Sequence, residues 1–315
     1  MVRWSLNYRS VSRSSKIQLE MPPRQTRKHK KLPNAELQVL WTGPPLGPLE
    51  KLSLASFIAH GHRVILYTYN PIDEIKRQIP PSIRYGIKVV DGNTILERGK
   101  QFKFEGRNKA YEFLPFSDLF RFTMLHKKGG SWIDLDMTLI KPIPKKVLAA
   151  KYAFSSERTI QKGAYKQKTP EIPDIGYVQV PGPASELTTW MLDNVPDTTT
   201  LKTPFDFMNL YRKALIELKL EKYVLPAKAF LPLNWWDVKE AFEEEGKCFP
   251  AKYGQKAFCK SDLVPADVYA IHWFRAILRK RKLPFETAEY EPDSLWGAVL
   301  KEIEKKTNVS NSDLF

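Results

Sequence analysis

The sequence predicts an α/β fold, and three observations carry that prediction. Short β-branched and aromatic runs alternate with stretches whose apolar residues recur at helical spacing. Gly-Pro and Asn-Pro punctuation separates them. The composition, 43% hydrophobic and 27% charged over 315 residues, is that of a chain able to bury a core.

The elements follow in order. Leu37-Gln38-Val39-Leu40-Trp41 reads as a buried strand closed by Gly43-Pro44-Pro45 and Gly47-Pro48, with a helix over 49–60. Residues 63–69 form a second strand that stops at Asn70-Pro71, and 87–90 a third. Helices are expected over 115–128, 184–194 and 204–219. One domain over 35–300 accommodates these elements. The polar residues 301–315 read as a frayed C-terminal tail.

The formal charge is +15, and residues 1–34 hold nine basic residues against the single acid Glu20. That stretch reads as a loosely held basic arm suited to an anionic surface. No run approaches the roughly 18 apolar residues of a membrane span, and the start lacks the apolar stretch of a signal peptide. Two cysteines, Cys248 and Cys259, make neither a disulfide framework nor a four-ligand metal site. A cytoplasmic, reducing compartment is the expectation.

The chemistry concentrates in one segment. Ser117-Asp118-Leu119-Phe120-Arg121 lies on the 115–128 helix, with Asp118 and Arg121 on neighbouring turns of one face. Gly129-Gly130 ends that helix. From Trp132 to Ile140 polar and apolar residues alternate, which predicts one strand with Asp134, Asp136 and Thr138 on one side. Two carboxylates at i, i+2 stand about 7 Å apart on such a strand, and their repulsion calls for a cation. A hard divalent ion, Mg²⁺ or Mn²⁺, suits oxygen ligands and phosphate.

This segment, continued through Leu125-His126-Lys127-Lys128-Gly129-Gly130-Ser131-Trp132-Ile133-Asp134-Leu135-Asp136, resembles the sugar-binding region of retaining glycosyltransferases with a DXD motif. These include the Och1-like mannosyltransferases, capsular and lipopolysaccharide sugar transferases and, more distantly, the clostridial glucosylating toxins. Val39-Leu40-Trp41-Thr42-Gly43 is similar to the opening strand of that family, and Ala270-Ile271-His272-Trp273 to its late segment. Ser131-Trp132 departs from the smaller or tyrosine-containing pair common in the family.

The resemblance implies a GT-A-like, Rossmann-related mixed sheet flanked by helices. It implies transfer of a sugar from a UDP- or GDP-linked donor, with retention, to a glycan, lipid-linked or protein acceptor. Asp134 and Asp136 would be the catalytic pair, with His272 completing the divalent-metal ligands. Trp41, Asp118, Arg121, Asp134 and Trp273 would contact the donor, Trp41 as base platform. Tyr177 and Asn234-Trp235-Trp236 are candidates for sugar specificity.

Two other readings stay open on the sequence. Asp134-Leu135-Asp136-Met137-Thr138 also fits a haloacid dehalogenase-like phosphatase, with Asp134 as nucleophile, Asp136 as acid and Asp262 or Asp267 as the paired acidic motif. The basic run Arg24-Gln25-Thr26-Arg27-Lys28-His29-Lys30-Lys31 fits a nucleic-acid-binding protein, although no nucleic-acid motif accompanies it. It equally suits peripheral contact with a membrane.

Overall fold

The computed structural model describes residues 35–100, 113–159, 171–195, 201–243, 266–283, 285–286, 290 and 292–315. The basic arm over 1–34, Cys248, Cys259 and Asp262 lie outside them.

The first half alternates as expected: β1 (Glu36–Trp41), α1 (Pro48–Ala59), β2 (Arg63–Thr68), α2 (Ile72–Gln78), β3 (Ile87–Asp91), α3 (Leu114–Lys128) and β4 (Gly130–Ile133). Then come β5 (Met137–Leu139), α4 (Lys145–Leu148), β6 (Ala153–Arg158), β7 (Glu171–Val180), α5 (Glu186–Asp193), α6 (Asp206–Glu217) and α7 (Glu240–Glu243). The chain closes with β8 (Ala270–His272), α8 (Arg275–Arg281), α9 (Leu295–Thr307) and α10 (Asn311–Leu314). All of these fall in one compact unit, Leu32–Phe315.

Six strands form a mixed sheet in the order β3-β2-β1-β4-β7-β6. The pairs β3-β2, β2-β1 and β1-β4 are parallel, while β4-β7 and β7-β6 are antiparallel. Leu37 and Val39 of β1 pack in the core layer that includes α1. Leu40 instead joins Tyr67, Phe116 and Phe120 in a second layer that includes α3. Burial on both faces is why the parallel strands read as nearly continuous apolar runs. The order reverses between β1 and β4, because β2 and β3 build outward on one side and β4 lands on the other. In open α/β sheets such a switch point opens a crevice at the carboxyl ends of the strands. Trp41 ends β1 and Asp134 follows β4 at that crevice.

Two expectations are corrected. The single strand predicted over 132–140 is broken: β4 stops at Ile133, and β5 pairs with β8 in a separate two-stranded sheet. The alternation of side chains continues through a turn. The Asp134 N–H donates to the Gly176 carbonyl at 2.8 Å, and the Met137 N–H donates to the Asp134 carbonyl at 3.1 Å. The segment 301–315 is not a frayed tail. Val299, Leu300, Ile303, Val309 and Leu314 are buried, and α9 packs on α1. Ser294 caps α9 by accepting from the Gly297 N–H, and Lys51 of α1 donates to the Asp313 and Leu314 carbonyls. The charged face Lys301-Glu302, Lys305-Lys306 conceals an ordinary amphipathic helix.

Candidate active site

Local geometry begins at the glycine pair that ends α3. Gly129 and Gly130 take φ of 68° and 80°, and a side chain on Gly129 would run into the Gly182 backbone. Only glycine tolerates both demands, so α3 turns at once into β4 and its inner face stays against that strand.

Asp118 and Arg121 lie on that inner face, with their side chains only 1% and 2% exposed. Arg121 Nη1 stands 3.1 Å from Asp118 Oδ1, and Nη2 donates to Asp134 Oδ1 at 2.7 Å. The Trp132 indole N–H donates to the same oxygen at 2.7 Å, and the guanidinium lies 4.8 Å over the Trp132 ring. Oδ1 of Asp134 is therefore fixed, and Oδ2 has no hydrogen-bond partner among the described residues.

Asp136 is held differently. Its Oδ1 is 3.1 Å from His272 Nε2, and its Oδ2 accepts the Arg275 backbone N–H at 2.8 Å. Phe274 adopts a left-handed backbone, φ 52°, at the start of α8, and the next N–H meets Asp136. β5 is fixed by Ser56 donating to the backbone of α1 while accepting the Leu139 N–H at 2.9 Å. Asp134, Asp136 and His272 thereby present ligand atoms within 4.8 Å of one another.

Burial raises the Asp134 carboxyl most strongly; Arg121 opposes that and Asp136 adds to it, leaving it near 6. Burial would raise Asp136 as well, but the His272 charge and hydrogen bond and the Arg275 N–H bring it to about 2. Burial alone would lower His272, yet Asp136 lifts it to about 9. A protonated imidazole thus supplies the positive charge that two adjacent carboxylates require. The same two oxygens-bearing groups and one imidazole make a hard-to-borderline donor set that fits a divalent ion in place of that proton.

The remaining predicted residues are dispersed. Trp41 reaches the crevice, but the Arg275 guanidinium covers its ring at 4.9 Å and its indole N–H donates to the Pro44 carbonyl. Arg275 is in turn ion-paired to the buried Glu50 of α1. Trp273 is a correction: it is wholly buried against Phe242 and Trp296, with its indole N–H on Thr138, so its side chain cannot touch a donor. Tyr177 is likewise core, stacked on Phe230 at 4.3 Å. Asn234 is buried and bonded to Asp237, and Trp235 and Trp236 pack edge to face.

Residues 64–155 match the family model for the glycosyltransferase sugar-binding region containing DXD motif. The chain therefore holds the sugar-binding region of a DXD-motif glycosyltransferase and is an enzyme that transfers sugars. The matched span contains Asp118, Arg121 and both aspartates of the motif, while His272 lies beyond it. Among solved structures the glycosyltransferase is similar to the PaToxG Glycosyltransferase, at 14% identity over 60% of this chain and 74% of that one, with a TM-score of 0.39. No curated protein matches its sequence.

The phosphatase reading fails on this geometry as well. Asp267 is half-exposed and paired with Lys228 at the surface, and Asp134 is tied by Arg121 and Trp132 rather than free to attack. No described helix is long and apolar enough to cross a membrane. Sequence reasoning passed over Glu50, Glu157, Asp174 and Arg212, all charged residues near the crevice whose spacing along the chain carries no motif. The signal for Arg275 was its place at the head of the basic run Arg275 to Lys282, which suits an anionic donor or a lipid-linked acceptor.

Proposed function

We propose that this glycosyltransferase moves a hexosyl unit from a UDP- or GDP-sugar to an acceptor hydroxyl with retention of configuration, using Mn²⁺ or Mg²⁺. The convergence of Asp134, Asp136 and His272 within 4.8 Å at the switch point of the sheet is the observation that carries this reading. In it, the three side chains would hold the ion, which would supply neutralising charge at the diphosphate leaving group.

The protein's own groups do the rest. Arg121 and Trp132 hold Asp134 Oδ1, so that Oδ2 faces the donor. Asp118 backs Arg121 from beneath, so this buried pair orients the motif. Arg275 sets its guanidinium over the Trp41 ring while its backbone N–H meets Asp136 Oδ2, so its charge can meet a diphosphate bound at the motif. The nucleobase then takes its place on the Trp41 ring. Preorganised charge at the leaving group lowers the barrier without reorganisation during reaction. The acceptor is a glycan, lipid-linked or protein hydroxyl, and the basic residues of 1–34 suit peripheral contact with an anionic membrane surface.

Calorimetric titration of UDP, GDP and their common sugars, with Mn²⁺ and then with EDTA, tests the reading. Metal-dependent binding of one nucleotide class, lost in Asp136→Ala, is expected. Equal affinity in EDTA would overturn it.

A further inference from the structure

The cations that the catalytic reading leaves unused gather at one end of α8. Arg279, Lys280, Arg281 and Lys282 are consecutive and all exposed, while Leu278 and Leu283 on either side of them are buried. The two leucines pin the turn, and the four charges stand clear of the body. Lys282 closes the helix in the left-handed conformation, φ 54°, with its N–H donating to the Arg279 carbonyl at 3.1 Å. Basic residues in a last turn complement the helix dipole, which accounts for one or two of them but not for four without acids. Among the described residues no carboxylate is ion-paired with any of the four. Arg275, at the head of the same helix, is by contrast paired with Glu50 and Glu286.

A turn carrying two tryptophans lies against this charge. The Asp237 N–H donates to the Asn234 carbonyl at 2.9 Å, and the Asn234 amide donates to Asp237 Oδ2 at 2.9 Å; both residues are buried. Trp235 and Trp236 occupy the two middle positions, partly exposed, edge to face, with ring centroids 5.2 Å apart. Arg281 Nη1 donates to the Trp236 carbonyl at 3.2 Å, which ties the turn to the helix end. The middle of a turn ordinarily goes to Gly, Pro, Asn, Asp or Ser. Two indoles there leave apolar area in water that folding alone would bury.

Cations beside partly exposed indoles match an anionic lipid surface. Negative headgroups attract Lys and Arg, and indole settles at the headgroup boundary, where its ring is dry and its N–H wet. A nucleic acid would meet the same charges, but its bases stack on open ring faces along a basic groove. Here the edge-to-face pair closes one ring face, and the charges share a single protruding turn. We propose that the C-terminal end of α8 and the tryptophan turn form a docking surface for an anionic lipid membrane.

The placement gives that surface a use. α8 begins at Arg275, whose N–H meets Asp136 Oδ2 at 2.8 Å, and its length to Lys282 is about 10 Å at the helical rise. The docked membrane is one short helix away from the motif, which suits an acceptor presented at that membrane. The docking itself requires neither donor nor metal.

The test is sedimentation of the full chain with phosphatidylcholine vesicles, with and without phosphatidylserine, and separately with single-stranded oligouridine RNA. Binding only to the phosphatidylserine vesicles is expected, weakening as salt is raised. Arg279→Gln/Lys280→Gln/Lys282→Gln should weaken it by about 10²-fold, at about five-fold for each cation near an anionic surface, with the melting temperature unchanged. Arg27→Gln/Lys28→Gln/Lys30→Gln removes the same charge from the N-terminal stretch and should weaken it by less than about ten-fold. Brominated lipid in the vesicles should quench indole emission in the wild type, and much less in Trp235→Phe/Trp236→Phe. Wild-type affinity in the α8 variant, or equal losses in the two triple variants, would overturn the proposal. So would RNA that binds more tightly than the vesicles and is lost with the same three cations, since the surface would then be a nucleic-acid site. No sugar nucleotide enters the measurement, so failure here leaves the transferase reading untouched.

Discussion

The two aspartates of the motif are two residues apart, yet they are held by different parts of the chain. Asp134 rests on Trp132, two residues before it, and on Arg121, 13 residues before it. Asp136 rests on His272 and the Arg275 N–H, 136 and 139 residues after it. One half of the site is therefore local, built by a helix, a glycine turn and a strand. The other is assembled only when the C-terminal part of the chain closes on β5. The local half is buried charge on buried charge, a structural element as much as a functional one. The distant half carries a titrating imidazole and a backbone N–H, which an ion or a phosphate can exchange for.

The difference is sharpest under substitution. Asp136→Ala should abolish metal-dependent donor binding, measured by calorimetry, while its melting temperature moves far less than that of an Arg121 variant. Arg121→Met should cost about 3 kcal/mol or more of stability in urea melts, because it leaves Asp118 buried without its cation. If Arg121→Met were no less stable than wild type, the local half would not be structural. Glu50→Gln frees Arg275 from its buried partner and leaves the motif untouched. It should weaken nucleotide binding several-fold with little change in metal affinity, and a parallel loss of both would join the two halves again.

The smallest effect is on pH dependence. Burial, against the opposition of Arg121, raises Asp118 to about 7 in the folded protein. A carboxyl raised above its unfolded value favours the fold below that unfolded value, near 4, and the benefit is lost as pH rises toward 7. Asp118→Asn should flatten that part of the stability profile in denaturant melts taken at pH 5 and pH 7. An unchanged slope would show that Asp118 is ionised throughout.

The same division decides what was legible in the sequence. β1, α1, β2, β3 and α3 were readable because propensity, apolar period and Gly-Pro punctuation agree over short spans. The break between β4 and β5 was not. Alternation from Trp132 to Leu139 passes through a turn, and only the bond from Asp134 to Gly176, a long-range contact, reveals it. His272 could be suspected only from resemblance, since no local rule brings residue 272 to residue 136. Trp273 misled for the converse reason: next to a site residue on a strand, its side chain points to the opposite face and into the core. At the C-terminus the apolar spacing of Leu295, Trp296, Val299, Leu300 and Ile303 was present, but the lysines and glutamates between them read as a polar tail.

The break at the motif has a mechanical side. Asp134 extends from the six-stranded sheet, whereas His272 belongs to the two-stranded one, and Asp136 lies in the link between them. An ion held by all three is a rivet through two plates. Its binding energy adds to the resistance of the seam against opening, by RT ln(1 + [M]/Kd) for an ion that the unfolded chain ignores. Amide exchange in β5 and β8 should therefore slow with added Mn²⁺ more than exchange in β2 and β3, which the rivet does not cross.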